Sequence, residues 1–228
     1  MVGFFNQEKC TGNWRKYNKM KEKTPQLKLW KGEFGNDYTK RNNLTSVKEE
    51  EAEIVFKRIL GNLKLNSVLE VGSNIGINLS GIRNALGKDV DLFALEPSEE
   101  AFKEIINNSN INLKQGFNCD CFNIPLKDNS IDLVFTNGVL IHINPKDLEL
   151  AMSEIVRVSK KYVLCSEYFS VNDEEIIYKG KKGYLFKEDF GKHYLKKFPN
   201  LKLVSYGFLW GEEFSNFDNL NWWLFEKE

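Results

Sequence analysis

The run Val68-Leu69-Glu70-Val71-Gly72-Ser73-Asn74-Ile75-Gly76 constrains this chain more than any other stretch. It is a short apolar strand with a carboxylate near its end, and it breaks into a glycine turn. A second apolar run, Val90 to Leu95, ends in the same way on Glu96. Two strand ends carrying acids, with a helix between them, describe a βαβ unit that binds an adenosine-containing cofactor. Glycine lets the backbone approach a ligand, and the helix that follows offers free N–H groups to a carboxylate. The acid after the second strand is the usual partner of a ribose diol.

Downstream the pattern alternates. Strands are expected at 68–71, 90–95, 111–115, 131–136 and 161–168, with helices at 78–86, 98–107 and 146–159. Strands joined through helices imply a parallel sheet with right-handed crossovers. Asn144-Pro145 is an N-cap and first-turn pair for the last of these helices. A helix around Lys187 to Lys197 follows, then apolar strands Leu201 to Leu209 and Asn219 to Phe225. The polar loop between them is too short for a crossover helix, so they pair as an antiparallel hairpin at one edge. The expected fold is a three-layer α/β sandwich around a seven-stranded, mostly parallel sheet with an antiparallel C-terminal hairpin.

Upstream, Ala52, Val55, Phe56, Ile59, Leu60 and Leu63 recur at helical spacing and predict an amphipathic helix over one face of the sheet. Residues Leu29 to Asn42 mix glycines, aromatics and both signs of charge, as a folded lid or loop does. The first 26 residues are lysine-rich, with Phe4, Phe5 and Trp14 as apolar anchors, and read as a solvated leader. The division is residues 1–46 as extension and lid-like loop, and 47–228 as the main domain.

Composition narrows the partners. Lys plus Arg and Asp plus Glu both number 32, so no global field favours nucleic acid or an anionic membrane. A small-molecule partner, anionic or not, is expected instead. The four cysteines, Cys10, Cys119, Cys121 and Cys165, match neither a disulfide framework nor a paired metal motif. No bound metal is expected, and Cys119 and Cys121 read as small buried residues. Neither a signal peptide nor a long apolar span is evident, so the expected location is the cytoplasm, with reduced thiols.

This architecture with these motifs resembles the class I S-adenosylmethionine-dependent methyltransferases. Glu70 to Gly76 looks like their E/D-x-G-x-x-x-G motif, and Glu96 stands where their ribose-binding acid stands. The stretch Asp120-Cys121-Phe122-Asn123-Ile124-Pro125-Leu126-Lys127-Asp128-Asn129-Ser130-Ile131-Asp132 looks like their D-A-x-x-L-P-F-x-D-x-S-F-D segment. The resemblance implies S-adenosylmethionine as cofactor, with Asp120 and the Cys121 backbone at the adenine. Glu70, Gly72, Ser73, Asn74, Gly76 and Asn78 then lie along the methionine and ribose, joined by Glu96, Pro97, Asn137 and Gly138. The segments 31–42, 137–145, 167–170, 178–190 and 196–208, with the ending Trp222-Trp223-Leu224-Phe225-Glu226-Lys227-Glu228, resemble the methylases associated with pseudaminic acid biosynthesis. That implies methylation of a sugar or sugar-nucleotide-derived metabolite.

Methyl transfer is in-line attack on the cofactor methyl, so the protein supplies alignment, desolvation and a place for a proton. His142, after the fourth strand, is the candidate base; a histidine that only holds its loop is the competing reading. Glu167 and Tyr168 end the fifth strand on the same sheet edge and are expected to face the acceptor, although Glu167 could pair with a lysine instead. Trp30, Tyr38 and Arg41 in the amino-terminal segment, and Tyr178 and Lys179 in the insert before the last helix, are expected to close the acceptor pocket. Arg41 and Lys179 either grip an anion or are ordinary surface charge. Asp132 reads as a strand-start anchor and Arg157 as structural. Two other classes remain open: an NAD-dependent dehydrogenase, and a non-catalytic S-adenosylmethionine-binding partner protein. The absence of G-x-G-x-x-G spacing and the terminal hairpin count against the dehydrogenase.

Overall fold

The computed structural model describes residues 24–61 and 63–228; the anchors Phe4, Phe5 and Trp14, and Cys10, lie outside them. The chain begins with α1 (Pro25–Lys31), α2 (Glu33–Arg41) and α3 (Ser46–Leu60). Then come β1 (Ser67–Val71), α4 (Ile77–Leu86), β2 (Asp91–Leu95), α5 (Glu99–Asn107) and β3 (Gln115–Phe117). β4 (Ile131–Asn137) leads through a single 3-10 turn (Leu140–His142) to α6 (Pro145–Val158) and β5 (Ser159–Glu167). The last part holds β6 (Glu174–Tyr178), β7 (Lys181–Lys187), α7 (Phe190–Lys197), β8 (Leu201–Leu209) and β9 (Leu220–Lys227).

Seven strands form one sheet in the order β3-β2-β1-β4-β5-β9-β8, while β6 and β7 pair only with each other. The first five strands are parallel and β9 joins β5 antiparallel. The chain winds outward from β1 in both directions, so the connections leaving β1 and β4 diverge and open a crevice at their carboxyl ends, where open α/β sheets bind ligands. Helices α3 and α4 and Ile105 of α5 bury their apolar stripes on one face, with Phe56 edge-on to Phe135 of β4 at 5.3 Å. Helices α6 and α7 cover the other, where Met152, Ile155, Phe190 and Tyr194 meet Val163, Cys165 and Phe225. This is the expected three-layer sandwich with its mixed edge.

Three details differ from the sequence reading. The third strand lies at Gln115–Phe117 rather than 111–115, because Ile111 is wholly buried and Asn112 has φ +51°, a left-handed bend that holds the chain out of the sheet. The lid segment is two short helices rather than a loop. Thr24 Oγ1 accepts from Leu27 N–H with Pro25 in the first turn, and a Cβ on Gly35 would stand 1.8 Å from the Trp30 carbonyl oxygen, so only glycine permits this tight corner. The insert after β5 is a hairpin turning on Lys179 and Gly180, both at positive φ.

Asp132 anchors the start of β4, accepting from Asn66 N–H at 2.7 Å. Arg157 donates to the carbonyls of Ile124 and Leu126 and pairs with Glu154 and Asp128, which fixes the segment that leads from Asp120 into β4. Both are structural, as read. No helix among the described residues is long and apolar enough to cross a membrane.

Candidate active site

The crevice at the carboxyl ends of β1, β2 and β4 is a cavity of about 360 Å³. Its floor is the loop that leaves β1. Glu70, buried at the end of that strand, accepts from Asn78 Nδ2 at 2.7 Å through Oε1 and leaves Oε2 buried without a partner. Burial pushes its carboxyl well above the usual carboxylate range. An arriving ammonium would supply both the missing hydrogen bond and the opposite charge. Gly72, Ser73 and Asn74 line the same floor, and the buried Asn74 Oδ1 also lacks a partner.

Gly76 does not touch the cavity. It caps α4 at φ +84°, and a Cβ there would meet Ile111 and Ile105 at 2.5 and 2.7 Å. Its place in the motif comes from backbone conformation and packing rather than ligand contact, which corrects its assignment to the cofactor.

Glu96, at the end of β2, accepts from Asn74 N–H and Ser98 N–H, both at 2.8 Å, one on each oxygen. Burial nevertheless raises its pKa to about 7. Each oxygen keeps a lone pair for a hydroxyl donor. Pro97, Asp120, Cys121 and Phe122 continue the wall on this side, with Asp120 Oδ1 accepting from Phe122 N–H at 3.1 Å. Asn118, which the sequence reading missed, donates to the Glu96 carbonyl at 2.9 Å and ties the two segments together. Asn137 and Gly138 close the floor at the end of β4.

Loss of Glu96 as Ala is expected to weaken S-adenosylmethionine binding by about 1–3 kcal/mol, the value of charge-assisted hydrogen bonds. Hydroxyl donors favour the ionised carboxylate, so binding lowers the raised pKa of Glu96 and releases a proton. Affinity for S-adenosylhomocysteine should therefore fall about tenfold for each pH unit below 7. Calorimetric titration at mildly acidic and mildly alkaline pH, in buffers of different ionisation heat, measures both effects; flat affinity without proton release removes Glu96 from the hydroxyl-binding role.

Above the floor stands an aromatic wall. Trp30 of α1 packs edge-on against His142 at 4.8 Å and Tyr38 at 5.2 Å, and Tyr178 of β6 lies 5.2 Å from His142. Trp30, Tyr38, His142, Tyr168 and Tyr178 all line the cavity. His142 Nδ1 sits 2.7 Å from the Tyr184 carbonyl on β7. A carbonyl only accepts, so Nδ1 carries the hydrogen and Nε2 keeps its lone pair. Burial lowers the His142 pKa to about 4, which keeps the ring neutral in ordinary buffers. A neutral imidazole with a fixed tautomer is a competent proton acceptor.

The lid and hairpin meet at Gln26, whose Nε2 donates to the Gly183 carbonyl at 2.6 Å while its buried Oε1 lacks a partner. Sequence reasoning missed Gln26 because a lone glutamine carries no spacing signal. It also missed Asp218, in the loop before β9, which accepts from the Tyr168 hydroxyl. Burial and this carboxylate both hold the Tyr168 phenol in its protonated form.

Three expected acceptor residues lie elsewhere. Glu167 is fully buried and turned away from the cavity, accepting from Val139 and Leu140 N–H through Oε1 and from Ile141 N–H through Oε2. It holds the loop that carries His142 and, among the described residues, pairs with no lysine. Arg41 is exposed and donates to the Asp37 carbonyl, and Lys179 is exposed with its ammonium 5.7 Å from the Phe34 ring. Neither lines the cavity, because α2 and the β6–β7 turn carry them on the outer surface.

Among the described residues Cys119, Cys121 and Cys165 form no disulfide, and the last two are buried. Among the described residues, Asp173, Glu188 and His193 bring potential ligand atoms within 4.8 Å of one another at the base of the hairpin, but His193 and Glu188 already satisfy each other at 2.8 Å.

Residues 69–165 match the family model described as Methyltransferase domain. The chain is similar in structure to magnesium protoporphyrin IX methyltransferase from Synechocystis PCC 6803, solved with bound S-adenosylmethionine. That match has 14% identity and a TM-score of 0.65, covering 91% of this chain and 99% of that one. It is also similar to a SAM-dependent methyltransferase from Aquifex aeolicus, with 16% identity, a TM-score of 0.61, and 85% and 98% coverage of the two chains. The [4+2]-cyclase SpnF matches with 13% identity, a TM-score of 0.57, and coverage of 78% and 80%. At these identities the likeness shows the fold. Fold, matched domain and site together define a class I methyltransferase. Its cofactor is S-adenosylmethionine, and the unpartnered acceptor oxygens of Glu70 and Asn74, with the two-pronged Glu96, suit that cofactor's ammonium and hydroxyl donors. The dehydrogenase alternative falls here, since residues 69–165, which carry the cofactor loop, match a methyltransferase domain.

Proposed function

We propose that this enzyme methylates a sugar or sugar-nucleotide-derived metabolite of surface-glycan, pseudaminic acid-type, biosynthesis in the cytoplasm. The observation that carries the reading is the aromatic wall of Trp30, Tyr38 and Tyr178 directly over the cofactor floor. Flat rings bind the C–H faces of a pyranose, while the buried Gln26 oxygen would accept from a sugar hydroxyl or amide. Support also comes from the segmental resemblance, which runs through the lid, the hairpin and the C-terminal strands.

In this reading residues 1–46 form an extension and lid and residues 47–228 the catalytic domain. The lid and hairpin carry Lys28, Lys31, Lys40, Arg41, Lys179, Lys181, Lys182 and Lys187 against Glu33, Asp37, Glu174 and Glu175. This excess of positive charge around the entrance favours an anionic acceptor through its field rather than by direct grip.

The sulfonium of the cofactor supplies an activated methyl group; the protein supplies everything else. Glu70 and Glu96 fix the donor end, the aromatic wall excludes water, and His142 Nε2 takes the proton released by the attacking group. The acceptor is a small molecule in this reading, since the equal numbers of acidic and basic residues give no global field towards nucleic acid.

The test is methyl transfer, read by S-adenosylhomocysteine release, against CMP- and UDP-linked sugars and free acidic sugars, with flat aromatic acceptors as controls. Turnover on a sugar supports the proposal. Turnover confined to flat aromatic acceptors overturns it, and cofactor binding without turnover on any acceptor favours the non-catalytic partner role.

A further inference from the structure

We propose that the open edge of β8 is the interface of a twofold-symmetric dimer of this chain. β8 is the last strand of the sheet, and among the described residues nothing pairs with its outer side. Edge strands are ordinarily protected by charge or proline, yet no charged residue and no proline occurs between Lys202 and Glu212. The strand and the residue after it instead present aromatic side chains to solvent: Tyr206 is 70% exposed, Phe208 51% and Trp210, just past its end, 56%, with Leu203 and Val204 exposed beside them.

Tyr206 and Phe208 oppose Trp223 and Asn221 of β9, which places them on the face covered by α7. That helix reaches Trp223, packed against Gly191, but leaves Tyr206 and Phe208 exposed. Phe169, also exposed, lies 6.2 Å from Trp223 and extends the patch. With aromatic side chains of roughly 150–250 Å² each, the contiguous apolar area is on the order of 500 Å². Unpartnered patches on monomers rarely exceed a few hundred Å², and a standard interface takes about 800 Å² per partner. The patch plus the strand's own backbone approaches the second figure.

The occupant follows from the register. The pairing with β9 slips between Leu203 and Ser205, so Ser205–Leu209 is the regular part of the edge, and Gly207 is its centre. Antiparallel pairing about a twofold axis at Gly207 sets Tyr206 opposite Phe208 of the partner subunit, and Phe208 opposite the partner subunit's Tyr206. Residues directly opposite in an antiparallel pair share a face, so both aromatic pairs form on the exposed side. Gly207 at the axis gives its side-chain space to Trp222 of β9, which a Cβ there would meet at 2.7 Å. A second copy is thus the occupant for which this one strand supplies both halves of the contact. The inference does not rest on the proposed acceptor.

Sedimentation equilibrium of the full chain across the micromolar range tests it. The wild-type protein is expected to be a dimer, and Tyr206→Glu or Phe208→Lys alone should raise the dimer dissociation constant about tenfold or more. Combining the two substitutions in one chain should restore dimerisation, because the carboxylate introduced at 206 then faces the ammonium introduced at 208 across the axis. Unchanged S-adenosylhomocysteine affinity and thermal melting in the variants shows that they fold. A wild-type protein that sediments as a monomer overturns the proposal. So does a dimer indifferent to both single substitutions, or one that the combined substitution fails to restore.

Discussion

Glu167→Ala is expected to destabilise the protein by about 3 kcal/mol or more, a larger loss than any single contact to the cofactor would give. The side chain is fully buried, and its two oxygens receive three backbone N–H groups from Val139, Leu140 and Ile141. Removal strands those donors in the interior and leaves a cavity beside them. Glu167→Gln keeps one accepting oxygen but turns an NH2 towards the Ile141 donor, so an intermediate loss is expected. Urea denaturation orders the three proteins; equal stability of wild type and Ala variant would show that the loop holds without its anchor. The pH dependence has a definite sign. Burial raises the folded pKa of Glu167 to about 7 against the pull of the three N–H groups. A raised carboxylate pKa favours folding most below the unfolded value and loses that contribution as pH climbs through 7. Glu96, also near 7, adds to the same slope, so the ligand-free protein should lose stability from mildly acidic to mildly alkaline pH. Glu167→Gln should flatten that slope in part.

The error about Glu167 shows where sequence reasoning stops. An acid at the carboxyl end of a parallel strand faces the crevice at Glu70 and Glu96, and the same logic placed Glu167 there. Strand position fixes the edge but not the rotamer. At β5 the following 3-10 turn of the neighbouring connection presents three free N–H groups, and the carboxylate folds back to them. The mostly parallel seven-stranded sheet with its antiparallel edge, the helices on both faces and the placing of Glu70 and Glu96 at the crevice were legible because period, glycine spacing and paired acids are local signals. The lid helices and the β6–β7 hairpin were less so. Thr24-Pro25 was an available start signal, and Lys179-Gly180 between Ile176-Ile177-Tyr178 and Tyr184-Leu185-Phe186 was an available hairpin signal. What no local pattern contains is the meeting of these two inserts over the cavity. Gln26 to Gly183 and Trp30 to His142 span more than a hundred residues of chain, and the acceptor wall consists of such contacts.

His142 is where this long-range assembly bears on chemistry, and its replacement should give the largest kinetic effect. Both His142→Ala and His142→Phe are expected to lower kcat by about 10²–10⁴-fold, the usual contribution of a positioned general base. The two variants separate chemistry from packing. Phenylalanine keeps a ring between Trp30 and Tyr178 and removes only the nitrogens, whereas alanine also opens the wall. If the imidazole works as a base, Phe and Ala lose turnover alike while S-adenosylhomocysteine affinity stays near the wild-type value. If it is a wall element, Phe retains turnover and Ala alone fails. The pH profile gives a second reading. With a pKa of about 4 the ring is neutral in all but acidic solution, so kcat at saturating cofactor should form a plateau that falls only on the acid side, near that value. A profile that instead bends near neutrality would assign the proton to another group, because burial holds His142 far below that range against the opposing pull of the Tyr184 carbonyl.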